Sequence, residues 1–110
     1  EDGEHRIEGI GDSFIPKILD LQALRPVLRV KDSDAMNIAR QINKLGLSVG
    51  ISSGANVFGA ILKASELSDG LNVATVLPDC SKKYLTTDLC STTEEPLSRE
   101  IKVLDFEIIA

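Results

Sequence analysis

The sequence predicts an α/β fold, and three observations carry that prediction. Two segments, residues 32–46 and 52–70, repeat apolar residues at helical spacing. Two others, residues 27–30 and 73–77, are short, apolar and rich in β-branched residues, as strands are. The order strand, helix, helix, strand then points to parallel strands flanked by helices.

Each element has its own justification. Within residues 1–26, Gly3, Gly9, Gly11, Pro16 and Pro26 exclude a long helix. Ile7 to Gly11 reads as a glycine-punctuated loop with buried isoleucines, and Ile18 to Leu21 as one helical turn at most. Val27 to Val30 is the first expected strand. Asp32 is then placed as an N-cap, with Asp34 in the first turn, where a carboxylate complements the helix dipole. Ala35, Ile38, Ala39, Ile42 and Leu45 form one apolar face, while Arg40, Asn43 and Lys44 fall on the polar side. Gly46 ends that helix.

Leu47 to Ile51 is a short extended link. The hydroxyls of Ser52 and Ser53 are N-cap candidates for a second helix, with Val57, Phe58, Ile61, Leu62, Ala64 and Leu67 on its apolar face. Ser68-Asp69-Gly70 closes it. Gly54 and Gly59 each cost this helix about 1 kcal/mol relative to Ala. A glycine near a helix start therefore signals that a backbone or a ligand approaches closely. Val73 to Leu77 is a near-continuous apolar run stopped by Pro78-Asp79, expected as a strand buried on both faces. Residues 91–100 form a polar linker, and Ile101 to Ile108 alternate enough to predict a terminal edge strand.

Composition narrows the function classes. The 110 residues carry 12 Lys and Arg against 17 Asp and Glu, for a net charge of −5. With no basic patch along the chain, a nucleic-acid partner is not expected. No apolar run approaches the ~20 residues that span a bilayer, so no membrane partner is expected either. The acidic start, Glu1 to His5, matches neither a signal nor a transit peptide. A first residue of Glu rather than Met predicts a gene product that continues upstream. Only four aromatic residues occur (Phe14, Phe58, Tyr84 and Phe106) with no Trp, a thin supply for a self-contained core.

Taken as chemistry alone, the chain offers few constellations. Cys80 and Cys90 are ten apart, without metal-ligand spacing, and read as free thiols of a reducing compartment; a disulfide between them stays geometrically open. No metal site is predicted, and His5, the lone histidine, receives no role. Gly9-Ile10-Gly11 lacks the third glycine of a dinucleotide fingerprint. Glu8 and Asp12 flank that loop, either as an acid/base pair or, more plainly, as solvated carboxylates. The most distinctive segment is Gly50-Ile51-Ser52-Ser53-Gly54-Ala55-Asn56. Its hydroxyls and glycines at a strand-to-helix junction suit either ligand binding at a sheet edge or simple helix capping. The first five residues fit G-x-S-x-G, but the only histidine lies upstream, so a hydrolase nucleophile is rejected. Lys63 on a helix's polar side, and Lys82 and Lys83 in a charged turn, lack the desolvation of a Schiff-base lysine.

Three segments in order and spacing carry a resemblance: His5-Arg6-Ile7-Glu8-Gly9-Ile10-Gly11-Asp12-Ser13-Phe14-Ile15-Pro16, then Gly50 to Asn56, then Leu77-Pro78-Asp79-Cys80 through Tyr84-Leu85. Over residues 5 to about 89 the chain resembles the C-terminal part of a cysteine synthase (O-acetylserine sulfhydrylase). It is also similar to the catalytic core of cystathionine β-synthase, of the same pyridoxal-phosphate family.

The resemblance implies the fold-type II, tryptophan synthase β-like architecture: two α/β domains with pyridoxal 5'-phosphate between them. The chain would be a fragment of the larger domain, with residues 1–90 its C-terminal part and 91–110 a linker and edge strand. It implies β-replacement, in which O-acetylserine loses its β-substituent and sulfide takes its place, giving L-cysteine. By the same resemblance, Ser52 hydrogen-bonds the pyridine nitrogen of the cofactor, and Gly9 meets the substrate near its amino group through its backbone. A neutral hydroxyl leaves that nitrogen largely unprotonated, making the ring a weaker electron sink than one paired to a carboxylate. Cys80 departs from the family, where Ser is frequent, which puts a polar role at that turn in doubt.

The family's Schiff-base lysine, its substrate-carboxylate loop and its phosphate cradle lie upstream of the matched region. No catalytic residue is therefore assigned within these 110 residues, and the chain alone is expected to be inactive. The complete enzyme is expected to be a cytoplasmic homodimer whose partners are an amino-acid substrate and sulfide. The rival readings are a non-catalytic α/β fragment or binding module, and a cystathionine β-synthase-type condensation. The short polar tail after Asp88 carries no sign of an appended regulatory domain, which favours cysteine synthase.

Overall fold

Two helices packed face to face, α1 (Asp32–Lys44) and α2 (Ile51–Glu66), organise the chain. The computed structural model describes residues 15–23, 27–84, 96–107 and 109. His5, Glu8, Gly9, Asp12 and Cys90 lie outside the described residues.

Helix α1 forms where the apolar period predicts it. Ala35, Ile38, Ala39 and Ile42 are all buried, and Met36 joins them. Its cap differs from expectation by one residue. Lys31 is the N-cap, because its carbonyl accepts the Ala35 N–H at 3.0 Å, and Asp32 opens the first turn beside Asp34. Both carboxylates still sit at the positive end of the helix dipole. Leu45, expected on the apolar face, is instead the C-cap and is exposed. Gly46 follows with φ +98°, the left-handed conformation that stops a helix at low cost when no Cβ is present.

The α1–α2 link is held by one side chain. Asn43 donates from Nδ2 to the Ala39 and Val49 carbonyls, each at 2.8 Å. Its Oδ1 accepts the Val49 N–H at 3.2 Å. The amide thus pairs with both backbone groups of Val49, as a neighbouring strand would, and Val49 turns into the core. The core comprises Ala35, Met36, Ile38, Ala39, Ile42, Val49, Ile51 and Phe58, with Val30, Leu47 and Leu62 half-buried against it.

The helices meet at a glycine. A Cβ on Gly54 would overlap the Ala35 carbonyl oxygen and lie 2.9 Å from both the Cβ and the N of Ala39. Of the two approaches expected at Gly54, the backbone of α1 is the one observed here. Ala35 and Ala39 offer the smallest side chains at the crossing, so the two backbones close together.

The expected strands take another form. Among the described residues none is paired in a sheet, although residues 27–30 and 71–80 are non-helical. The run Val73 to Leu77, expected buried on both faces, is exposed: Val76 is 67% accessible and Leu77 41%. A strand exists only through ladder hydrogen bonds to a neighbour, and among the described residues the backbone hydrogen bond formed with this segment is Gly50 N–H to the Asp79 carbonyl at 3.4 Å, too few for a ladder.

Residues 101–107, expected as an edge strand, also lack strand pairing. The segment from Pro96 instead runs along α1, tied by side chains. Ser33 Oγ donates to the Pro96 carbonyl at 3.3 Å. The Asp34 carboxylate accepts the Ser98 N–H at 2.9 Å and the Ser98 hydroxyl. Gln41 donates to the Ile101 carbonyl at 2.8 Å and accepts the Val103 N–H at 2.7 Å. These bonds explain why two polar residues of α1, Ser33 and Asp34, are buried. Ile101 and Val103 complete the contact by packing against the core.

Ile18 to Leu21 matches the expected absence of a longer helix. Two turns occupy this stretch, closed by Leu19 N–H to the Pro16 carbonyl at 3.0 Å and Ala23 N–H to the Asp20 carbonyl at 3.1 Å. No described helix is long and apolar enough to cross a membrane.

Candidate functional site

The first turn of α2 gathers the polar groups that the sequence singles out. Its N-cap is Gly50, in extended backbone at φ −89° and ψ −179°, and not a serine. Ser52 and Ser53 therefore lie inside the helix, at its second and third positions. Neither acts as an N-cap, so simple capping does not explain the pair.

The two hydroxyls have different fates. Ser53 is fully buried, and its Oγ donates to Asp79 Oδ1 at 2.8 Å, with the Asp79 carbonyl 3.4 Å away. Ser52 is half-buried, and no described residue engages its hydroxyl. One serine is committed to the fold and the other is available to a ligand.

Asp79 grips the same turn from a second side. The Gly50 N–H donates to the Asp79 carbonyl at 3.4 Å, and a Cβ on Gly50 would lie 2.5 Å from Asp79 Oδ1. Glycine at position 50 is what lets the carboxylate approach. Helix α2 has no acidic residue in its first turn and no side-chain cap. Asp79 thus brings from another segment the negative charge that the helix start lacks. Farther along, Asn56 donates to the Val76 carbonyl at 2.9 Å, so the 75–79 segment follows the N-terminal half of α2.

Around this turn the neighbouring loop is also pinned. Ser48 and Ser81 share a hydroxyl hydrogen bond of 2.7 Å, and the Ser81 N–H donates to Ser48 Oγ at 3.2 Å. Ser81 opens a short 3-10 helix, Ser81–Tyr84, where the sequence suggests only a turn. Cys80, between Asp79 and Ser81, carries an exposed free thiol. The described residues hold no cluster of His, Cys, Asp or Glu able to bind a metal ion.

The sequence-predicted residues therefore separate. Ser52 sits in the first turn of α2, while Gly9 lies outside the described residues, so the two are not brought together here. Lys63 is about half exposed and paired to Glu66 at 2.8 Å, and Lys82 is exposed, so neither has the desolvated setting of an amine nucleophile. Asp79 is the residue that sequence reasoning passed over as part of a turn. Its signal was indirect: a helix start with two hydroxyls, a glycine and no acid of its own.

Comparison with known proteins places this geometry. No protein-family model matches the chain. It is 47% identical over 89 residues to cysteine synthase B of Campylobacter jejuni, across 81% of this chain and 29% of that protein. It is 41% identical over 92 residues to a cysteine synthase of Staphylococcus aureus, across 83% and 30%. Among solved structures, it is similar to a variant of the hydrogen sulfide-producing enzyme of Fusobacterium nucleatum, captured with an α-aminoacrylate intermediate. That match has a TM-score of 0.79 and 44% identity, covering 87% of this chain and 29% of that one. The cysteine synthase of Entamoeba histolytica matches with a TM-score of 0.73 and 35% identity, over 86% and 28%. The chain spans about three-tenths of the length of the curated relatives it matches. Across about four-fifths of its own length, then, this chain belongs to the cysteine synthase family.

Proposed function

We propose that these residues form the part of a pyridoxal 5'-phosphate-dependent β-replacement enzyme that binds the pyridine nitrogen of the cofactor. The complete enzyme makes L-cysteine from O-acetylserine and sulfide, and has the fold-type II architecture with parallel strands. One observation carries the reading: of two adjacent serines in a family motif, Ser53 is locked to Asp79 while Ser52 keeps a half-buried hydroxyl that no described residue engages. An uncommitted hydroxyl in the first turn of a helix fits a neutral heteroaromatic nitrogen as hydrogen-bond acceptor.

Ser52, in the first turn of α2, would donate its hydroxyl hydrogen to that nitrogen. The cofactor, when bound, supplies the electron-withdrawing ring that stabilises charge at the substrate's α-carbon. Because serine is neutral, it leaves the nitrogen without a full positive charge, which suits prompt loss of a β-substituent. Gly9 contributes its backbone to the substrate's amino group. The Schiff-base lysine is supplied by sequence upstream of the matched segment. Residues 1–90 form the C-terminal part of the catalytic domain and 91–110 begin with a polar linker, in a cytoplasmic homodimer.

The test uses absorbance and turnover. The 110-residue chain mixed with pyridoxal phosphate gives no saturable cofactor band and no cysteine from O-acetylserine and sulfide. Joined to the upstream family sequence it regains both, and Ser52→Ala there lowers kcat about tenfold, the worth of one hydrogen bond of about 1.4 kcal/mol. Robust turnover by the isolated chain, or an unaffected Ser52→Ala enzyme, overturns the reading.

A second reading runs the same site toward sulfide release, supported by the similarity to the hydrogen sulfide-producing enzyme. Sulfide formed from L-cysteine as sole substrate, faster than cysteine forms from O-acetylserine, favours it. Condensation of homocysteine, or no activity in any form, would favour the cystathionine β-synthase-type or the non-catalytic alternative.

A further inference from the structure

We infer that Asp79 is a positioning residue for the cofactor site, setting the first turn of α2 through Ser53 and Gly50 so that Ser52 meets the pyridine nitrogen. The inference rests on the reading of Ser52 above and adds a residue that acts through it.

The geometry is specific to this turn. Asp79 contacts the residue two before Ser52 and the residue directly after it. The Gly50 N–H reaches the Asp79 carbonyl at 3.4 Å, and the buried Ser53 hydroxyl reaches Oδ1 at 2.8 Å. The carboxylate packs so closely on Gly50 that any side chain there would collide with it. A helix start is normally free to fray, since its first N–H groups have no partner within the helix. Here neither a side-chain cap nor a first-turn acid restrains it. Asp79 is the anchor that replaces them, and it comes from a segment itself tied to α2 by the Asn56 bond to the Val76 carbonyl at 2.9 Å. At the opposite side of the turn, Gly54 is seated against the α1 backbone. The Ser52 Cα is thus fixed between two contacts, one to α1 and one to Asp79. A hydrogen bond from a serine to a ring nitrogen depends steeply on angle, so such fixing affects how the cofactor is held.

The experiment uses the complete holoenzyme that contains this segment, with far-UV circular dichroism to confirm folding. The readouts are retention of pyridoxal phosphate and the position and pH titration of its absorption band, for Ser52→Ala, Ser53→Ala, Asp79→Ala, Asp79→Asn and the double variant Ser52→Ala/Asp79→Ala. Asp79→Ala and Ser53→Ala are expected to weaken cofactor retention about tenfold and to shift the band in the direction that Ser52→Ala shifts it. Asp79→Asn restores the band, because its Oδ1 still accepts from Ser53. In the double variant, loss of Asp79 adds little to loss of Ser52, since the two act in series.

If Ser52→Ala moves the band but Asp79→Ala and Ser53→Ala leave it in place, the positioning role is wrong and the Ser52 reading stands. If Asp79→Asn is as defective as Asp79→Ala, or the double variant is fully additive, Asp79 does not act through Ser53, and the inference is overturned. If Ser52→Ala itself leaves the band unchanged, the underlying reading fails. Should Asp79→Ala not fold, Ser53→Ala and Asp79→Asn decide the matter with the same readouts.

Discussion

Replacing Gly54 by Ala and Gly59 by Ala should move stability in opposite directions, although both lie in α2 and both raise helix propensity. At each site the substitution gains about 1 kcal/mol of propensity, because glycine loses more backbone freedom on folding. The surroundings decide the sign. At Gly59 the nearest atom to a new Cβ is Leu28 Cδ1 at 3.8 Å, an ordinary van der Waals contact. Nothing opposes the gain there, so Gly59→Ala stabilises by about 0.5–1 kcal/mol. At Gly54 the new methyl group overlaps the Ala35 carbonyl and lies 2.9 Å from Ala39 N and Cβ. Two of those obstacles are backbone atoms, which no rotamer change can move. The helices must separate, and overpacking of this kind costs about 1–3 kcal/mol or more. Separation also loosens Ile38, Ile42 and Phe58, which are buried in the same core. Because both variants gain the same propensity, they differ by the overpacking cost, so Gly54→Ala is expected to be about 1–3 kcal/mol less stable than Gly59→Ala. Urea unfolding of parent and variants, with the slopes compared, measures the difference directly. Equal stability of the two variants, or a stabilised Gly54→Ala, would refute the close crossing of α1 and α2.

Two further substitutions probe the side chains that act as backbone partners. Asn43→Ala removes three hydrogen bonds, two of them to Val49, and should destabilise by about 1–3 kcal/mol. Hydrogen exchange at the Val49 amide should accelerate in step, and unchanged protection would show that another group holds the link. Asp34→Ala takes the acceptor from both the Ser98 N–H and the Ser98 hydroxyl. It should cost about 1–3 kcal/mol and expose residues 96–103 to limited proteolysis, whereas cleavage at the parental rate would mean that Ser33 and Gln41 suffice to retain the segment.

What was legible in the sequence was whatever depends on local period and on single-residue conformation. Ala35, Ile38, Ala39 and Ile42 are spaced to form one helical face, and that face is buried. Gly46 and Gly70 stand after helices and both take positive φ. The caps were less legible. Asp32, Ser52 and Ser53 are good capping residues by type, but the helices begin at Asp32 and Ile51 after Lys31 and Gly50. Side-chain type alone does not register that a distant Asp79 serves the start of α2 instead. The exposure of Val73 to Leu77 was illegible for a related reason, since an apolar run states what a segment prefers to pack against and not whether that surface adjoins it. Gln41 and Asn43 were the hardest to foresee. Both look like polar-face residues of α1, yet each pairs in two directions with a backbone segment that only folding brings near.

The family likeness of this chain came from short segments in order: Gly50 to Asn56, Leu77 to Leu85 and the glycine loop around Gly9. Sequence by itself determined the two helices and the buried stripe of α1, because those follow from a repeat of 3.6 residues. On α2 only Phe58 of the expected apolar face is buried, while Ala64 and Leu67 are exposed and the contact with α1 is made nearer the helix start, at Gly54. Sequence also marked Gly54 as a close approach, since a glycine inside a helix must be repaid by something nearby. Tertiary structure alone decided what that neighbour was and how the two serines of the motif divide their work. Ser53 faces inward to a carboxylate 26 residues away, and Ser52 is left half-buried with its hydroxyl uncommitted. Two adjacent residues on a helix point about 100° apart, so identical chemistry one step along the chain ends in different surroundings. Residue types alone do not separate them: the family resemblance singled out Ser52, and the structure adds that Ser53 is the one held by Asp79.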